Sequence, residues 1–263
     1  MKYKINYNLL HEDYRKTIPK WEIFSGVRGS ISHGTNFKDG NDDIDFISII
    51  VPDIDYYFGL KTFSSRGTLD RKIEENDILI YEFLKFITLL SKGNPSALNI
   101  LWLPDKFIIN KNSVWEILSE NKKIFSGKHV YYAFAGYANS QFKRMEQFKE
   151  FGGYMGDKRR KLFNQFGYDP KNASHLLRLL YQADEFLATG NLRVYRDKDK
   201  DFLISVKKGE LPLEEIKKYA NFMFNTVSLK YEISKLPDKP DYEEIDKLTT
   251  YILKETFKSR KEI

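Results

Sequence analysis

Apolar residues between positions 22 and 90 come in short, dense runs. Glu22-Ile-Phe-Ser-Gly26 reads as a brief strand entering a glycine-rich turn. Ile44 to Val51 (IDFISIIV) is β-branched and apolar and stops at Pro52, the pattern of a buried strand. Asp77-Ile-Leu-Ile-Tyr81 predicts a third strand, entered through the polar stretch Glu74 to Asn76. Directly after it, Phe83, Phe86, Ile87 and Leu90 repeat at helical spacing. That helix is expected to end in a turn at Gly93-Asn94-Pro95. Beyond Pro104 the apolar period becomes helical, over roughly 113–125, 129–148, 171–189, 213–235 and 241–258. Asp169-Pro170 supplies an N-cap and a first-turn proline, and Thr189-Gly190 supplies the matching stop. Strands followed by helices predict an α+β fold. Its first domain spans residues 1–108, and a helical domain spans 109–263.

Composition narrows the class. Apolar residues make up 41% and aromatic residues 15% of the 263, too much hydrophobic surface for a disordered chain. With no cysteine, disulfides, zinc fingers, thiol nucleophiles and iron–sulfur sites drop out. Histidine occurs only at 11, 33, 129 and 175, which argues against a multi-histidine metal cage. No apolar run approaches the ~18 residues of a membrane span, and the opening residues MKYKINYNLLHEDYRK lack the core of a secretion signal. A cytoplasmic protein without membrane contact is expected. Residues 1–104 carry 13 basic and 14 acidic side chains, whereas 105–263 carry 30 and 23. This asymmetry suits a carboxylate site facing a phosphate-rich ligand, although ordinary solvated surface would also produce it.

The chemistry concentrates in residues 26–51, GVRGSISHGTNFKDGNDDIDFISIIV. Residues two apart on a strand share a face, so Asp43 and Asp45 are expected to project together. Carboxylates that close repel unless a cation neutralises them, and hard oxygen donors suit Mg²⁺ or Mn²⁺. The Gly29-Ser30 turn allows close backbone approach and offers N–H groups and a hydroxyl to phosphate oxygens. A phosphate cradle beside a carboxylate pair is the equipment of in-line phosphoryl or nucleotidyl transfer. No Gly-x-x-x-x-Gly-Lys-Ser/Thr loop is present, so P-loop chemistry is set aside.

The arrangement Gly29-Ser30, twelve intervening residues, then Asp43-Ile44-Asp45 resembles the signature of the DNA polymerase β-like nucleotidyltransferase superfamily. Tyr81-Glu-Phe-Leu-Lys-Phe86 with Leu90-Ser-Lys-Gly-Asn-Pro-Ser96 is similar to one branch of it. So is Gly167-Tyr-Asp-Pro-Lys-Asn-Ala-Ser-His-Leu-Leu-Arg-Leu-Leu180 with Glu185-Phe-Leu-Ala-Thr-Gly190. That branch is the RNA-repair-associated predicted nucleotidyltransferases (RlaP/YcgL-like). The sequence departs from the branch pattern at His33, at Asp42 and at Asn99, where relatives often carry an aromatic residue, a serine and an acid.

The resemblance implies a polymerase β-like core, a short mixed sheet with flanking helices, followed by a helical C-terminal part. It also implies an NTP substrate and an RNA 3′ end as acceptor. A toxin-type enzyme acting on tRNA or protein shares the chemistry, and an inactive nucleotide- or RNA-binding module is the alternative from another class. A third carboxylate is expected from a neighbouring strand. Asp77 is the choice and Glu82 the runner-up, the latter also readable as a first-turn helix acid. Lys171, His175 and Arg178 fall on one face of the helix opened by Asp169-Pro170. They are read as nucleotide-binding, with a salt-bridged surface stripe as the alternative. Lys158-Arg-Arg-Lys161 fits either a polynucleotide grip or a solvated charged face.

Overall fold

The computed structural model describes residues 4–10, 12–37, 44–64, 66–73, 76–146 and 157–262. Five strands form one mixed sheet: β1 (Glu22–Arg28), β2 (Asp45–Ile50), β3 (Thr68–Ile73), β4 (Asn76–Glu82) and β5 (Ile108–Lys111). Their order is β3-β4-β2-β1-β5. β1 is antiparallel to β2 and to β5, β3 is antiparallel to β4, and β2 runs parallel to β4. The parallel pair sets Asp45 opposite Asp77 and Ile50 opposite Glu82.

Short helices α1 (Glu12–Arg15), α2 (Thr17–Trp21), α3 (Gly29–His33) and α4 (Asp55–Phe58) surround the first strands. α5 (Phe83–Ser91) and α6 (Pro95–Leu101) lie between β4 and β5, and α7 (Ser113–Glu120) follows β5. The remaining helices are α8 (Val130–Glu146), α9 (Asp157–Phe166), α10 (Pro170–Thr189), α11 (Lys200–Lys207), α12 (Leu213–Ile233) and α13 (Tyr242–Ser259). Among the described residues no helix is long and apolar enough to cross a membrane.

Alternation along the strands divides the core. Phe46, Ile50, Ile78 and Ile80 pack with Ile18 and Trp21 on one face of the sheet. Ile47 and Ile49 turn to the other face, into a larger core that runs from Ile23 to Phe257 and includes the buried face of α10. That face is formed by Leu176, Leu177, Leu179, Leu180, Ala183 and Phe186. The two sequence segments therefore share one apolar core. The end of the chain is stapled back to the sheet: Arg260 donates to the Val51 carbonyl (2.7 Å) and Glu262 accepts the Ile54 N–H (2.8 Å).

α10 starts and stops at its expected signals. Asp169 accepts the Lys171 and Asn172 N–H groups, Pro170 occupies the first turn, and Gly190 closes the helix in the left-handed region (φ +64°). The turn expected at Gly93-Asn94-Pro95 does more than end a helix. Asn94 caps α6 by accepting the Ala97 N–H, and Pro95 begins that helix. β3, β5, α1, α2, α3, α4, α6, α9 and α11 have no counterpart in the sequence reading. All are short, and β3 is a polar edge strand whose apolar alternation is weak.

Candidate active site

β1 ends at Arg28, and the chain turns into α3 through Gly29 at φ +74°. That turn holds Gly29 against β2. A Cβ placed on it would run into Asp45 Oδ2, so a side chain here would displace the carboxylate as well as strain the backbone. The α3 turn is tied internally: Ser32 donates to the Gly29 carbonyl (2.9 Å), and the Thr35 N–H donates to the Ser30 carbonyl (2.9 Å).

Asp45 and Asp77 sit side by side at the starts of parallel strands, and Ile44 N–H donates to Asn76 Oδ1 (3.1 Å) where the two begin. Adjacent strands lie about 4.8 Å apart, so both carboxylates can serve one ligand. Asp43 lies outside the described residues. Glu82, at the far end of β4, is committed elsewhere. It caps α5, accepting the Leu84 and Lys85 N–H groups (both 2.9 Å) and the Tyr57 hydroxyl (2.7 Å). Burial and the Glu82 charge push the Tyr57 hydroxyl pKa upward. The geometry therefore sets Asp77 rather than Glu82 beside Asp45.

These carboxylates form one side of a 490 Å³ cleft whose lining also includes Gly29, Ser30, Lys171, His175 and Arg178. Every described residue singled out as catalytic or nucleotide-binding thus meets in one cavity, although those residues come from the sheet, from α3 and from α10. Their charge states differ. Lys171 is exposed. Burial, then Arg178 and Arg144, pull His175 down to about 3, so it faces the cleft as a neutral ring rather than a cation. Burial, then Arg196, pull Arg178 down to about 9, leaving it charged at neutral pH. Arg178 donates to Gln182 Oε1 (3.0 Å). Gln182 in turn donates to Asn99 Oδ1 (2.6 Å), and Asn99 donates to the Pro95 carbonyl (2.6 Å). This chain aims the guanidinium while leaving its charge uncompensated, and no carboxylate pairs with it among the described residues.

Several lining residues were given no role by the sequence reading. Arg28, directly before Gly29, reaches Asp45 Oδ1 at 3.7 Å and donates to the Phe46 carbonyl (3.2 Å). His33 is buried, and its Nδ1–H donates to the Val194 carbonyl (3.0 Å). Burial, then Arg178, hold His33 well below the usual histidine range, so the ring that lines the cleft is neutral. Lys207 of α11 donates to the Thr35 carbonyl (2.9 Å), and Tyr137 and Gln141 project from α8. Position next to Gly29 could have flagged Arg28, whereas nothing local marks Lys207. The side chains of Lys158 to Lys161 lie outside the described residues.

The sequence matches, over residues 16–251, the family described as RlaP: RNA repair pathway DNA polymerase beta family. The chain belongs to that family. It is accordingly a nucleotidyltransferase of the polymerase β type, with the mixed α+β architecture described above. No curated protein matches it significantly. Among solved structures, it is similar to a nucleotidyltransferase-like protein from Exiguobacterium sibiricum 255-15. That match has 14% identity and a TM-score of 0.26, and it covers 91% of this chain and 69% of that one.

Polymerase β-like nucleotidyltransferases generally use divalent metals, and the donor set can be tested for fit. Asp45 and Asp77 present hard carboxylate oxygens to the same cavity from neighbouring strands, a match for a small divalent cation. Among the described residues no group of three acidic or histidine ligands is assembled. The remaining expected ligand, Asp43, stands two positions before Asp45.

Proposed function

We propose that the protein transfers a nucleoside monophosphate from an NTP to the 3′ hydroxyl of an RNA. The observation that carries this reading is the opposition, across one cleft, of the Asp45–Asp77 pair and the uncompensated Arg178. A polyphosphate supplies the charge that the arginine lacks, and its reacting phosphorus comes to rest near the carboxylates.

The Gly29 turn and the Ser30 hydroxyl hold phosphate oxygens on the sheet side, and Lys171 and Arg178 hold them on the α10 side. His175, neutral, serves as a hydrogen-bonding partner. Asp43, Asp45 and Asp77 would hold Mg²⁺ (Mn²⁺ is a chemical equivalent), which, when bound, neutralises phosphate charge and acidifies the attacking hydroxyl. The acceptor oxygen forms a bond to the α-phosphorus as the bond from that phosphorus to the β-phosphate bridge breaks, releasing pyrophosphate. Asp77, the more exposed of the two described carboxylates, orients the hydroxyl and takes its proton in this reading.

The test is incubation with each labelled NTP, Mg²⁺ and total RNA, with Asp43→Asn and Asp45→Asn run alongside. Wild-type protein should label RNA 3′ ends and release pyrophosphate. Both variants should lose transfer by about 10²-fold or more while keeping their melting temperatures. Wild-type turnover in both folded variants would sink the proposal.

A further inference from the structure

α8 carries a residue that its packing does not explain. Its inward stripe runs Val130, Phe134, Ala138 and Met145, each fully buried. Gln141 interrupts that stripe at core spacing and is only 6% exposed. Its amide makes no hydrogen bond to a described residue and opens on the cleft, which the side chain lines. A donor and an acceptor are thus presented to the cleft from a position where the helix otherwise carries apolar residues, and a polar ligand edge can meet both.

One turn earlier on the same helix, Tyr137 also lines the cleft and is 43% exposed, so its ring is open to a ligand. Asn94 donates to the Tyr137 hydroxyl (2.9 Å), tying the ring to the start of α6. Apart from the two imidazoles, Tyr137 is the aromatic side chain among the described lining residues. Ile47 and Leu79 continue the cleft floor from Asp45 and Asp77 on the same face of the sheet, giving an apolar surface beside the carboxylates. An open aromatic face, an apolar floor and one unpaired amide together make a slot for a flat heteroaromatic ring with a hydrogen-bonding edge.

The geometry points to Tyr137 and Gln141 of α8 as the nucleobase subsite for the incoming NTP, with the base stacked on Tyr137 and its edge bonded to Gln141. This assignment rests on the nucleotidyl-transfer reading and adds where the base is held and which residue reads it. Stacking on an aromatic side chain tolerates every base, whereas an amide bonds an edge and so ranks the bases.

The experiment measures equilibrium binding of the four NTPs and of inorganic tripolyphosphate, in Mg²⁺, to wild type, Tyr137→Ala, Tyr137→Phe and Gln141→Leu. Melting temperatures confirm folded protein. Tyr137→Ala should weaken NTP binding about ten-fold and leave tripolyphosphate unchanged, and Tyr137→Phe should stay close to wild type. Gln141→Leu fills the same space without an amide. It should lower affinity for the preferred NTP and narrow the ranking among the four, again without touching tripolyphosphate. If wild type binds both probes and Tyr137→Ala loses neither or both equally, the subsite is overturned. An unchanged ranking in Gln141→Leu overturns the reading role of that residue. Wild type that binds neither probe overturns the transferase reading and the subsite together.

Discussion

Two arginines of the helical part differ in whether carboxylates match their charge. Arg196 is fully buried and saturated with carboxylates. It donates to both Glu185 oxygens (2.7 and 2.9 Å) and, from Nε, to both Asp199 oxygens (3.1 Å each), with a further short contact to Asp199. Burial works against its charge, but the hydrogen bonds to Glu185 and Asp199 overcome that and raise its pKa. Its own N–H donates to the His33 carbonyl (3.0 Å), so the clamp fastens the segment after α10 to the end of α3. Arg178, on the same helix as Glu185, has a neutral amide where Arg196 has carboxylates, and its pKa moves down. The same side chain in two electrostatic settings does different work. Arg196 holds the walls of the cleft together, and Arg178 faces into it with charge to spare.

The sharpest way to break this contrast is to remove each guanidinium. Arg196→Met leaves Glu185 and Asp199 facing each other with Arg193 as their remaining partner, and should cost about 3–5 kcal/mol of stability. Chemical denaturation measures it, and a loss below about 1 kcal/mol would show that the clamp is dispensable.

Arg178→Met should behave the opposite way. Stability should hold or rise, because an uncompensated charge leaves the interior. Tripolyphosphate and NTP affinity should fall by about 1.5–3 kcal/mol, roughly ten-fold or more. Arg178→Lys should recover only part of the binding, since an ammonium lacks the planar fork and the bond to Gln182 would need a new geometry. If Arg178→Met unfolds the protein and leaves binding of the folded fraction intact, the residue belongs with Arg196.

The smallest effect concerns pH. An unfolded histidine takes up a proton near 6.5, whereas His175 in the folded protein resists until about 3. Below pH 6.5 the unfolded state therefore binds more protons. The stability present above that pH is lost as pH falls through the window from 6.5 to about 3. The slope from His175 cannot exceed about 1.4 kcal/mol per pH unit. His33 contributes in the same direction, so His175→Gln should flatten the fall between pH 6.5 and 5 without abolishing it. Denaturation curves at pH 7, 6 and 5 for both proteins decide this, and identical slopes would show that His175 is hydrated.

The sequence by itself determined what nearest neighbours along the chain determine. The extent of α10 follows from Asp169, Pro170 and Gly190, the buried strand from IDFISIIV, and the superfamily signature from Gly29-Ser30 with Asp43-Ile44-Asp45. Only the tertiary structure decided that β4 lies parallel to β2 in the register that pairs Asp45 with Asp77. The same is true of Glu82 as a cap and of Arg196, rather than Arg178, as the residue matched by acids from two segments. It is true of Gln141 too, which sits where an apolar residue would be expected yet faces a cavity. Strand register, charge compensation and exposure depend on groups far apart in the chain that meet only when the core closes. Local periodicity carries no information about those meetings, because it reports which face of an element is apolar and not what that face comes to touch.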